Sequence, residues 1–108
     1  MRRLFVPLTT AAYEDFRDQG KRWEVRALGR QYTPSQLVSG RAVELRKGYS
    51  GESLWGVIGQ VRVGALEDVL ASLPLKEVEP RAASLEEAIA ENRAMLGPRE
   101  RYVAFEVL

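Results

Sequence analysis

Gly20-Lys21-Arg22-Trp23-Glu24-Val25-Arg26 decides how this chain is read. Trp23 and Val25 alternate with Arg22, Glu24 and Arg26, the period of two that belongs to a strand with one apolar and one charged face. Gly20 precedes it as a residue free to take the left-handed conformation that ends a helix. In an unbroken strand Lys21 points away from Glu24 and Arg26, so the three converge only if Lys21 sits at the helix–strand junction or in a bulge. Lysine and arginine only donate hydrogen bonds, and an ionised glutamate only accepts them. Together they suit a nucleobase edge or a phosphate, with Arg26 offering a planar fork. A Lys21 whose pKa is depressed by Arg22 or Arg26 and by partial burial is also a candidate base, with Glu24 as its polar or proton-transfer partner. The competing reading is a solvated ladder of opposite charges, each pair contributing ~0.2–1 kcal/mol.

The flanking sequence supplies the other elements. Leu4-Phe5-Val6 reads as a short strand ending at Pro7. Thr9 or Thr10 caps a helix that sets Ala12, Tyr13 and Phe16 on one face and stops at Gln19-Gly20. Residues 27–40 form a long connection rich in breakers, with a helical turn near Ser35 to Val38. Arg41 to Lys47 alternates again, Val43 and Leu45 inward, Ala42, Glu44 and Arg46 outward. Leu54 to Val63 is a long strand with Val57, Val61 and Val63 on one face, and Gly56 and Gly59 predict a bend or bulge within it. Ala65 to Leu73 and the helix opened by the capping box Ser84-Leu85-Glu86-Glu87 carry apolar stripes that serve the core. Tyr102 to Leu108 is the closing strand. The order β-α-β-β-β-α-α-β marks an α+β fold rather than alternating βαβ units.

Composition narrows the chemistry. The 108 residues suit one domain. No apolar run approaches the ~20 residues of a membrane span, and the N-terminus does not read as a signal peptide, so a cytoplasmic location is expected. The chain has no cysteine and no histidine, which removes disulfides, thiolate nucleophiles, Cys-ligated zinc and the commonest neutral-pH base; no metal and no cofactor is expected. Residues 1–62 carry a net charge of +5 and residues 63–108 a net charge of −4, so the basic first part favours an anionic ligand, unless the two charge sets mix on the folded surface.

A second candidate segment is Arg46-Lys47-Gly48-Tyr49-Ser50-Gly51. Arg46 and Lys47 beside a glycine-rich loop tipped by Tyr49 can grip a phosphate and stack a base, and the loop N–H groups can cup an anion. Equally, it reads as a hairpin loop whose tyrosine folds back on the sheet. Trp23 and Trp55 read as core anchors, and Tyr32 as a residue of a loop able to act as a lid.

The motif Lys21, Glu24, Arg26 resembles the K-x-x-E-x-R part of the G-x-K-x-x-E-x-R signature of the ASCH family, with Gly20 one position nearer the lysine than the family places it. Gly40-Arg41-Ala42-Val43-Glu44-Leu45 is similar to its G-x-x-V-x-L strand, and Gly59-Gln60-Val61-Arg62-Val63 to its G-x-V-x-V-like strand. Tyr102 to Glu106 resembles its closing aromatic–acidic strand. The resemblance implies a single ASCH-like domain over residues 1–108: a PUA-like, small, mainly antiparallel β-barrel with about three flanking helices and a polar cleft at the motif. It further implies binding of RNA or a nucleoside- or nucleotide-like ligand. A small bacterial subgroup is an amidohydrolase on N4-acetylcytidine and related acylated nucleosides, using the motif lysine, a threonine three residues later and a distant glutamate. Here Glu24 stands at the threonine position; Glu79 lies near the distant one, with Arg81 closer to it. The ligand-binding set is thus Lys21, Glu24, Arg26, Arg46, Lys47 and Tyr49, with Lys21 and Glu24 as the catalytic pair of an amidohydrolase. A third possibility is a non-catalytic interaction domain, a monomer or a weak homodimer through an open sheet edge.

Overall fold

A twelve-residue strand organises the molecule. In the computed structural model, which describes all residues 1–108, β4 (Ser53–Gly64) pairs with β3 (Ala42–Lys47) through its first half and with β5 (Tyr102–Val107) through its second. β1 (Leu4–Leu8) lies parallel to β3, and β2 (Trp23–Ala27) antiparallel to β5, giving the sheet order β1-β3-β4-β5-β2. Helix α1 (Thr10–Asp18) joins β1 to β2, and α2 (Leu66–Ala71), α3 (Leu75–Val78) and α4 (Leu85–Leu96) fill the interval between β4 and β5. No helix is long and apolar enough to cross a membrane.

The α+β class and the predominance of antiparallel pairing agree with the sequence. The closed barrel does not: the sheet curls but stays open, because β1 pairs only with β3 and β2 only with β5. Pro7 accounts for part of this. The carbonyls of Phe5 and Pro7 accept side-chain hydrogen bonds from Gln31 and Arg26, so both face the open seam. A strand residue turns its N–H and C=O to the same side, so the donor that proline lacks is one the seam would have needed, while the β1–β3 ladder loses nothing. The fourth helix, α3, is a single turn too short to show apolar periodicity. The turn expected after residue 34 forms over Thr33–Leu37, where Gln36 and Leu37 both donate to the Thr33 carbonyl.

Two apolar layers sandwich the β2–β5 ladder. Trp23, Val25, Tyr102 and Ala104 face α2, α3 and α4, packing with Leu66, Leu70 and Val78. On the opposite, inner face Val103 and Phe105 pack with Leu4, Val6, Val43, Leu45 and Ile58. Directly opposite residues share a face, so Glu24, opposite Phe105, and Arg26, opposite Val103, belong to the inner face. They are not a solvated ladder.

The bulge expected near Gly59 is present and moves side chains from where simple alternation puts them. Ile58 pairs with Val107 and Val61 with Phe105, so β4 advances three residues while β5 advances two. The extra residue reverses parity: Ile58 is buried inside, Val61 packs on the inner cluster, and Val57 is left exposed outside. Glu106 fills the gap in the ladder, its Oε1 accepting the Gln60 N–H at 3.1 Å. A β-carbon on Gly59 would lie 2.4 Å from that oxygen, and one on Gly56 would lie 2.6 Å from the Leu108 carbonyl oxygen.

Glu44 lies on the outer face as expected, yet is only 2% exposed. Ser53 Oγ donates to its Oε2 at 2.6 Å and Arg3 Nε to its Oε1 at 2.7 Å, while Arg46 Nε reaches Oε2 at 2.9 Å. These donors, Ser53 and Arg3 foremost, outweigh the opposing effect of burial and hold the carboxyl at about 2, below its ordinary 4.5.

Gly56→Ala will destabilise the fold by ~1–3 kcal/mol and by more than Gly59→Ala, since main chain cannot yield as the Glu106 side chain can; chemical denaturation measures both. Because the folded pKa of Glu44 is depressed, its ionised form stabilises the fold above pH ~4.5 and that contribution fades as pH falls toward ~2. Glu44→Gln will therefore lower the melting temperature at pH 7, and the gap to the parent protein will narrow across that window.

Candidate functional site

Convergence of the motif begins at the end of α1. Thr9 caps the helix, its Oγ1 accepting the Ala12 N–H at 3.2 Å. At the other end Gln19 and Lys21 both donate their N–H groups to the Asp15 carbonyl, and Gly20 turns the chain at φ +76°. Lys21 therefore belongs to the helix exit, and the ladder starts one residue later, where the Arg22 carbonyl accepts the Val107 N–H at 2.8 Å. Strand parity does not govern Lys21, and its side chain turns inward with Glu24 and Arg26.

The three side chains form one chain of contacts. The Lys21 ammonium donates to the Val78 carbonyl, stands 3.6 Å from Glu24 Oε1 and lies 5.3 Å from the centre of the Phe16 ring. Glu24 Oε2 accepts from Arg26 Nε at 2.9 Å and Nη2 at 2.7 Å. Nη2 also donates to the Pro7 carbonyl at 2.8 Å, bridging the seam between β2 and β1. The guanidinium covers Tyr32 at 5.1 Å, and Tyr32 stacks on Phe105 with ring centres 5.9 Å apart. Burial opposes the charge on Arg26, but Glu24 together with Tyr32 outweighs it, and the guanidinium pKa rises above its ordinary value. Burial raises the Tyr32 phenol pKa as well, against the opposing pull of Arg26, so that hydroxyl stays a donor at neutral pH.

Lys21 and Glu24 are 6% and 8% exposed, so the motif is a buried network rather than the lining of an open cleft. With two cations and one carboxylate it carries one uncompensated positive charge. Lys21 is the member of the network that lines a depression of about 250 Å³, together with Phe16, Arg17, Trp55, Val107 and Leu108. Glu24 and Arg26 do not line it, and the Arg26 side chain, 20% exposed, reaches solvent elsewhere. Trp23 is a core anchor at 4% exposure, whereas Trp55, read from sequence as a second anchor, is 63% exposed at the rim. Trp55 sits opposite Glu44 on the outer face of β4, where no helix covers the sheet.

The loop 46–51 contributes differently from what its composition suggests. Arg46 is engaged by Glu44, by the Tyr49 carbonyl at 2.9 Å and by the Phe5 ring at 4.9 Å. Lys47 pairs with Glu52 at 3.6 Å and lies 5.8 Å from the Tyr13 ring. The N–H groups of Lys47, Gly48 and Gly51 all donate to main-chain carbonyls and are not free to hold an anion. Tyr49 does project, 77% exposed, with its ring centre 6.4 Å from that of Phe5. Segment 77–81 passes over Lys21, but Glu79 accepts from Asn92 at 3.1 Å and Arg81 Nε donates to Asp15 at 2.6 Å. The group it presents to the lysine is the Val78 carbonyl. Main-chain acceptors such as those of Val78 and Pro7 leave no residue-type signal in a sequence.

No protein-family model matches the chain, and no curated protein matches it. Solved structures do. Hypothetical protein PH0355 superposes with a TM-score of 0.78 over 97% of this chain and 96% of its own, at 19% identity. PF0455 from Pyrococcus furiosus superposes with a TM-score of 0.68 over 97% and 94%, at 21% identity. A mutant of the ASCH protein from Zymomonas mobilis superposes with a TM-score of 0.69 at 13% identity, over 99% of this chain and 69% of that one. At these identities the likeness is one of architecture, and it extends over nearly the whole of this chain: the protein has the fold of the ASCH proteins.

Proposed function

We propose that this domain binds the base of a cytidine-like nucleoside, free or within RNA, in the depression over Lys21. The observation that carries this reading is Lys21, one cation of a network with one uncompensated positive charge, in the lining of a small, largely apolar recess. At about 250 Å³ the recess is smaller than the ~300–1,000 Å³ of pockets for larger ligands, a size suited to one base. Lys21 donates to a base carbonyl and Trp55, 63% exposed, offers a π-face. The amidohydrolase reading uses the same pocket, with Lys21 as base and Glu24 beside it at 3.6 Å.

Trp55 is the exposed one of the two tryptophans, so ligand binding will quench the fluorescence of this protein directly. Titration with cytidine, N4-acetylcytidine and a single-stranded RNA is expected to give saturable quenching. Trp55→Ala will weaken binding by the ~1–3 kcal/mol typical of a base–aromatic stack, and Lys21→Met will weaken it while a circular-dichroism melt verifies the fold. Release of acetate from N4-acetylcytidine that is lost in Lys21→Met would establish the amidohydrolase. Absence of saturable quenching by all three compounds at millimolar concentration would refute the binding site.

A further inference from the structure

Most arginines of this protein are engaged, but three at the far end of the β2–β5 ladder are not. Arg30, Arg99 and Arg101 are exposed, and none takes part in an ion pair. Arg99 and Arg101 line a recess of about 480 Å³ with Leu28 and Glu100. Leu28 donates its N–H to the Arg101 carbonyl at 3.3 Å, which ties the loop carrying Arg30 to the loop carrying the other two. Leu28 also packs against the inner-face cluster, so the recess continues the face that holds Glu24 and Arg26.

Both loops are held rigidly. Gly29 and Tyr32 exchange two main-chain hydrogen bonds, at 3.1 and 2.8 Å, leaving Arg30 and Gln31 as a two-residue turn. Arg30 takes φ +52°, the only positive φ outside glycine in the chain. A side chain there costs on the order of 1–2 kcal/mol relative to glycine, yet the position carries a long cation that enters no ion pair within the protein. On the other loop the buried Tyr102 hydroxyl accepts the Arg99 N–H at 3.0 Å and donates to the Gly97 carbonyl at 2.6 Å. Three unpaired guanidiniums on pre-formed turns suit a polyanion, since little entropy is lost when they engage it.

We propose that Arg30, Arg99 and Arg101 form a phosphate-binding patch for the backbone of a single-stranded nucleic acid. Placing a base of that strand over Lys21 rests on the proposed function above; the patch itself does not. The ladder from Tyr102 to Val107 separates the two sites by about 17 Å at ~3.4 Å per residue. A mononucleoside reaches only one of them, whereas about five stacked nucleotides at ~3.4 Å each reach both.

The test compares cytidine, a single-stranded ten-nucleotide RNA and a polyglutamate peptide of equal charge on the intact protein, with salt varied. The parent protein is expected to bind the RNA with a steep salt dependence. The variant Arg30→Gly, Arg99→Gln, Arg101→Gln is expected to bind it roughly tenfold more weakly at about 0.15 M salt, with the slope of log K against log salt reduced by about 2. Arg99→Lys with Arg101→Lys should restore the slope, and cytidine binding should be equal in all. Arg30→Gly alone should melt no lower than the parent yet bind RNA more weakly, separating binding from folding. Unchanged RNA affinity and slope in the triple variant, or no RNA binding by the parent, would overturn the patch, as would equal affinity for polyglutamate. Loss of RNA binding in the triple variant with no cytidine binding by the parent would support the patch and refute the Lys21 site.

Discussion

One guanidinium holds the two edges of the sheet together. Arg26 stands on β2, reaches the Pro7 carbonyl on β1 and is fixed from behind by Glu24. Main-chain pairing does not close this seam, and the residue that does must present several donors to the inner face. That requirement brings a charge into an apolar layer, where its desolvation is costly unless a partner is adjacent. Glu24 is that partner, and its second oxygen then meets Lys21 at the exit of α1. The residues that read as a binding motif are therefore also what bridges the open seam. The excess positive charge of the network follows from it: two donors are needed, one for the seam and one for the helix exit, and a single carboxylate serves both.

Much of this is legible in the sequence where local rules act alone. The alternation over Trp23 to Arg26, the cap at Thr9, the capping-box serine at Ser84 and the glycine signal for a bulge in β4 each reflect a local constraint, and each element forms. Long-range effects are not legible. The glycines announce the bulge but not its effect on parity, which turns Val57 outward. Glu44 is on the face that alternation assigns, but Arg3 from before β1 and Ser53 from β4 join Arg46 in burying it there, which no pattern along one strand encodes. Trp55 shows the same limit in reverse, since a large apolar residue on β4 is covered only if a helix reaches that face. The lysine is the hardest case, because its direction depends on ladder pairing beginning at Arg22.

Charge along the chain misleads in a similar way. The basic first part suggests a broad cationic surface, but most of its cations are tied down: Arg3 and Arg46 to Glu44, Arg17 to Asp18, Arg26 to Glu24, Lys47 to Glu52. Exposed pairs such as Arg17–Asp18 contribute little stability and are screened by salt, yet each still cancels a charge that would attract an anion. What matters electrostatically is the unpaired remainder. Two of the three unpaired arginines at the end of the β2–β5 ladder come from the half of the chain that is acidic overall. They come together with Arg30 only because β2 and β5 are antiparallel, which places residue 28 beside residue 101. Sheet topology, more than composition, decides where this protein can meet a phosphate.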